Sequence, residues 1–126
     1  MNWLVISSGI LGLITSAAHI VAGGKDVARP LLASTLNDDV KLTTYACWHL
    51  VSVSLVASSL ALIIEGLGLI KSPSTVIFIS ALWLIYGIVF LVVTLGVAKP
   101  PGIVRFPQWT LLLPVGLLGL LGIVLR

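Results

Sequence analysis

Apolar residues run along this chain in four long blocks, at about residues 3–22, 43–70, 75–98 and 109–125, separated by stretches rich in Gly, Pro, Asn, Asp, Lys and Arg. Each block approaches or exceeds the roughly 20 residues that a helix needs to cross the hydrocarbon core of a bilayer. The blocks are continuous instead of alternating, which predicts helices and not strands. In lipid, only helices or closed barrels satisfy their own backbone groups. The expected architecture is therefore all-α: a polytopic membrane protein, a four-transmembrane-helix up-down-up-down bundle forming a single membrane domain over residues 1–126.

The residues between the blocks set the boundaries. Residues 23–42 open on Gly23-Gly24-Lys25-Asp26, pass through Arg29-Pro30 and close on Asn37-Asp38-Asp39, a helix-start signal. They predict a loop, with Val27, Leu31, Leu32 and Leu36 forming at most a short interfacial turn. The second helix is expected to begin near Asp38, enter the membrane around Thr43 and run to about Ile70. Lys71-Ser72-Pro73-Ser74 then turns the chain, since the residue before a proline is driven out of the helical region. A second polar connection, residues 99–108, leads to the last block. No Lys or Arg precedes the first block and no small-residue cleavage site follows it, so it reads as a retained span and not a signal peptide.

Composition agrees with this pattern and narrows the function classes. Of 126 residues, 59% are hydrophobic and 9% charged, against about 25% charged in ordinary globular proteins, and the mean hydropathy is +1.21. The net charge of +3 is concentrated in two loops. Lys25, Arg29, Lys41, Lys99 and Arg105 lie in residues 23–42 and 99–108, whereas Lys71 and Arg126 are the only basic side chains on the other side. The positive-inside rule makes the two basic loops cytoplasmic and puts both termini outside, as in a protein of the bacterial plasma (inner) membrane. Cations placed to orient helices give no support to nucleic-acid binding. The single cysteine, Cys47, excludes an intrachain disulfide and a multi-cysteine zinc site, and its expected role is packing.

Small residues recur at helical spacing. Ser8, Gly12, Thr15 and Ser16 share a stripe on the first helix, Ser80, Gly87 and Thr94 on the third, and Gly116, Gly119 and Gly122 on the fourth. Such stripes let membrane helices approach closely. The lipid bilayer is the first expected partner, and faces left over after internal packing would serve a homodimer or a larger membrane complex. The second helix carries polar residues on two sides, which places it centrally.

Three groups carry candidate chemistry. His19 and His49 are the only histidines; one lies shortly before the first helix leaves the membrane and the other shortly after the second enters. An antiparallel hairpin holds both imidazoles at one depth, a geometry suited to two axial ligands of haem b, with Lys25, Arg29 and Lys41 as propionate partners. Such a protein would transfer electrons. Glu65, the only acidic residue inside an expected span, is the candidate for a small proton- or cation-coupled transporter. The third reading is a non-catalytic scaffold or assembly partner. Two histidines alone lack the ligands for zinc, so no metal is expected beyond a candidate haem iron. No serine is matched with a base as a hydrolase requires, and no catalytic residue is assigned.

Overall fold

The computed structural model describes residues 1–97 and 107–125. Most of the expected connection 99–108, with Lys99 and Arg105, lies outside the described residues, as does Arg126. The described residues contain no strand and form four helices: α1 (Trp3–Leu32), α2 (Asp38–Leu67), α3 (Pro73–Val97) and α4 (Trp109–Val124). The first three are long and apolar enough to cross a membrane, which points to a membrane-integral protein; α4 is equally apolar but has 16 residues.

The largest departure from the sequence pattern is in α1, which continues through most of the expected loop at 23–42. Regular α-helix over Trp3–Ala18 gives way to a π-helical stretch over His19–Ala28, and a last α-helical turn follows at Arg29–Leu32. The wider register places Gly23 and Gly24 against the Trp48 indole of α2, so tertiary packing sustains a segment whose glycines disfavour helix locally. The return to α register falls at Arg29-Pro30, where proline has no N–H to contribute.

Only residues 33–37 remain as a link. Its Ser34 carbonyl accepts from Lys41 Nζ at 3.4 Å. The helix-start signal performs as expected: Asn37 caps α2 by accepting from the Asp39 N–H at 2.8 Å, with Asp38 and Asp39 in the first turn favoured by the helix dipole. At its other end α2 stops at Leu67, three residues before the expected Ile70. Gly68 there adopts a left-handed conformation (φ 80°), and the bonds Gly68 N–H to Glu65 O and Leu69 N–H to Ile64 O close the helix in a Schellman motif.

The helices alternate in direction. α1 packs closely on α2 and α4, and α4 on α3. The close approaches are made by small residues. A Cβ at Gly9 would lie 2.7 Å from the Ser59 carbonyl oxygen of α2, and one at Gly66 would lie 2.8 Å from the Ile6 nitrogen of α1. On α4, Gly116, Gly119 and Gly122 are buried against Leu84, Ser80 and Val5, as the stripe predicts. The α2 and α3 backbones stand further apart, and large side chains bridge them. Trp83 is fully buried and donates from Nε1 to Ser58 Oγ at 3.0 Å, while Ser54 Oγ and Tyr86 Oη pair at 3.2 Å. The expected central position of α2 is thus taken by α1 and α4, each of which packs closely on two helices, while α2 packs closely on α1 and meets α3 chiefly through large side chains. Cys47, about two turns before Ser54, is exposed and does not pack as expected.

One end of the bundle is tied by Asn2. Its amide donates to the Gly122 carbonyl at 2.6 Å, its backbone N–H donates to the Gly66 carbonyl at 2.7 Å, and its side-chain oxygen caps α1 by accepting from Val5 N–H at 3.2 Å. Three helix ends are joined by one side chain and its peptide group. The opposite end, where the α1 extension and the start of α2 form a hairpin, carries the histidines.

Candidate functional site at the hairpin end of the bundle

Tyr45, Trp48 and His49 are spaced three and four residues apart on α2, so their rings share one region of its surface. Trp48 is the hub. The His19 imidazole stacks on it with ring centroids 4.8 Å apart and planes inclined by 23°. His49 meets Trp48 edge-on at 5.1 Å and Tyr45 edge-on at 4.5 Å, and the Tyr45 and Trp48 planes are nearly parallel at 6.4 Å. The hairpin therefore brings both histidines into one aromatic cluster, as their matched depth leads one to expect. They differ in environment: His49 is exposed, whereas Nε2 of His19 is shielded from solvent and has no hydrogen-bond partner. A buried polar atom without a partner is uncommon. Trp109 Nε1, at the start of α4 beyond the Thr15–Leu111 contact with α1, is in the same condition.

Beside this cluster, between the π-helical part of α1 and the first turns of α2, lies an open groove of about 370 Å³. Tyr45 and Trp48 line it from α2; Ile20, Val21, Lys25 and Arg29 line it from α1. Lys25 and Arg29 are four residues apart and add two cations to an otherwise largely apolar lining. The only ion pair among the described residues is Lys41 with Asp38 at 3.1 Å. Lys25 and Arg29 consequently have no carboxylate partner among the described residues, while Lys41 is held by Asp38 and the Ser34 carbonyl and does not line the groove.

Glu65 lies near the end of α2, away from the groove. It is buried, and both carboxylate oxygens accept from the Ser72 N–H, at 2.9 and 3.0 Å. Ser72 immediately precedes α3, whose N-terminal dipole favours a carboxylate there. The acid thus fastens the α2–α3 turn, and Lys71 is exposed and not paired with it.

Among the described residues, no group of three or more His, Cys, Asp or Glu side chains is placed to hold a metal ion. Comparisons with protein-family models, curated proteins and solved structures found no match, so the reading of this end of the molecule rests on its own geometry.

From the sequence alone Trp48 and Tyr45 are interfacial aromatics with no binding role, and Val21 and Ile20 are not singled out. The spacing Tyr45, Trp48, His49 together with the glycine pair Gly23-Gly24 is the signal that could have revealed the groove. The two glycines are the part of the extension that faces the indole.

Proposed function

We propose that this chain is a four-span integral membrane protein of the binding class, and that the groove beside Trp48 receives an amphiphilic anion. In this reading the hairpin end faces the cytoplasm, both termini lie outside, and α4 crosses as a short fourth span. The observation that carries it is the combination, in one groove, of two cations without carboxylate partners among the described residues and an aromatic and aliphatic wall. An anionic head would meet Lys25 and Arg29; arginine offers a planar fork of donors to phosphate or carboxylate oxygens. The apolar portion would lie along Ile20, Val21 and the Trp48 ring. The volume of about 370 Å³ sits at the small end of the range for ligand sites, about 300 to 1,000 Å³. Titration of the purified protein in neutral detergent with octyl phosphate, against a neutral octyl glycoside, tests the reading. Saturable binding of the anion alone, lost in Lys25→Gln/Arg29→Gln, supports it; equal response to both amphiphiles removes it.

A second reading is favoured by the shared contact of His19 and His49 with Trp48 and by the unpartnered Nε2 of His19: haem b bound through both imidazoles, with propionates at Lys25 and Arg29. Two axial ligands must face each other across the macrocycle. Here the Trp48 ring lies against the His19 face, and neither histidine lines the groove. Haem binding therefore requires Trp48 to move, which makes it the weaker reading. Oxidised and dithionite-reduced absorption spectra of protein expressed with saturating haem, repeated for His19→Ala and His49→Ala, decide it. No contact favours transport through Glu65, whose carboxylate is engaged with the Ser72 N–H.

A further inference from the structure

A second groove, of about 340 Å³, continues from the first towards the middle of the bundle, and Ile20 lines both. Its other walls are Ser52, Val53, Val56, Ala57 and Leu60 of α2. The one hydroxyl among them is already engaged, since Ser52 Oγ donates to the Trp48 carbonyl at 3.0 Å. What remains is hydrocarbon. Tyr45, Trp48, Ser52, Val56 and Leu60 follow one another at spacings of three and four, so the two grooves form a single track along one side of α2.

The track has the shape and polarity of one class of molecule. From Trp48 to Leu60 it descends 12 residues, about 18 Å at the helical rise, close to one leaflet of a hydrocarbon core about 30 Å thick. Its upper end carries Lys25 and Arg29, its lower end only aliphatic groups. We propose that the occupant is an anionic glycerophospholipid from the leaflet on the hairpin side, its phosphate between Lys25 and Arg29 and one acyl chain in the groove from Ile20 to Leu60. This rests on the amphiphilic-anion reading above and adds to it the ligand class, the chain subsite and the leaflet. A zwitterionic lipid offers the same chain with no net negative charge, and inorganic phosphate offers the charge without a chain; the track selects for both together.

The test uses the full chain in nonionic detergent, titrated with dioleoyl phosphatidylglycerol, dioctanoyl phosphatidylglycerol, dioleoyl phosphatidylcholine and inorganic phosphate, with bound molecules counted by native mass spectrometry. The long-chain anionic lipid is expected to bind at least about tenfold more tightly than the short-chain one, a gain that burial of about two additional methylenes supplies. Val56→Trp, which fills the chain groove, abolishes that advantage and leaves short-chain binding intact. Ala57→Leu, a milder filling of the same groove, reduces it in the same direction and serves if the tryptophan variant fails to fold. Lys25→Gln/Arg29→Gln removes the preference over phosphatidylcholine. Equal affinity for short and long chains, or an unaltered advantage in folded Val56→Trp and Ala57→Leu, overturns the chain subsite while the amphiphilic-anion reading survives. Inorganic phosphate binding as tightly as the lipids overturns both. Absence of binding by every anionic probe overturns both.

Discussion

The imidazole of His19 stacks on the indole of Trp48, 4.8 Å between centroids, and this contact joins the π-helical start of the α1 extension to α2. The same indole faces Gly23 and Gly24 and lines the basic groove. Trp48 therefore connects the folding of the hairpin with the shape of the proposed binding site. Replacing it with Ala removes the stack, which is worth about 1 kcal/mol beyond simple burial, and frees the glycine pair. Trp48→Ala is expected to lower thermal stability in detergent and to abolish binding of octyl phosphate, and Trp48→Phe to retain much of both. Full binding by Trp48→Ala would show that the indole is not a wall of the site.

The glycines separate into two groups that substitution distinguishes. At Gly9 and Gly66 an added Cβ meets backbone of the neighbouring helix below 3.0 Å, so alanine forces α1 and α2 apart. A loss of about 1–3 kcal/mol is expected for each by analogy with overpacked cores. At Gly23 the nearest atom to an added Cβ is Trp48 Cζ2 at 3.7 Å, an ordinary contact, and Gly23→Ala is expected to leave the melting temperature unchanged or raised. Differential scanning fluorimetry of the three variants reads this directly.

Glu65 is a structural acid on this geometry. Glu65→Ala removes a charged acceptor from the Ser72 N–H and should cost about 1–3 kcal/mol, with Glu65→Gln less damaging because its amide oxygen still accepts. Neither variant is expected to alter ligand binding at the other end of the molecule. Loss of binding or of any ion flux in folded Glu65→Gln would reinstate the carboxylate as a functional group.

The proposed orientation has its own test. In a Cys47→Ala background, Thr35→Cys places a thiol in the exposed link between α1 and α2. A membrane-impermeant maleimide is expected to label it only in membranes whose cytoplasmic face is open. Labelling from the outer face of intact cells would reverse the topology.

Much of the helical arrangement is legible in the sequence, because four apolar blocks, Asn37-Asp38-Asp39 and Ser72-Pro73 each mark a boundary by a local mechanism. The small-residue stripes are equally legible, since Ser8, Ser80 and Gly119 are buried where their spacing predicts contact. What escapes is set by tertiary contact. Gly23, Gly24 and Pro30 are local signals for a loop, yet packing on Trp48 keeps the chain helical to Leu32. The early end of α2 depends on one left-handed glycine among several glycines of similar appearance. At the site, sequence reasoning names His19, His49, Lys25, Arg29 and Lys41; that Lys25 and Arg29 line the groove while neither histidine does, and that Lys41 pairs with Asp38, are matters of side-chain geometry.

The claim that the Trp48 groove binds an amphiphilic anion is tested most directly by following intrinsic fluorescence during titration with octyl phosphate, in wild type, Trp48→Phe and Lys25→Gln/Arg29→Gln. Saturable change in wild type, missing from Trp48→Phe and from the charge-neutralised variant while both remain folded, is the expected result. A wild-type signal that persists undiminished without Lys25 and Arg29, or no saturable signal at all, would contradict it.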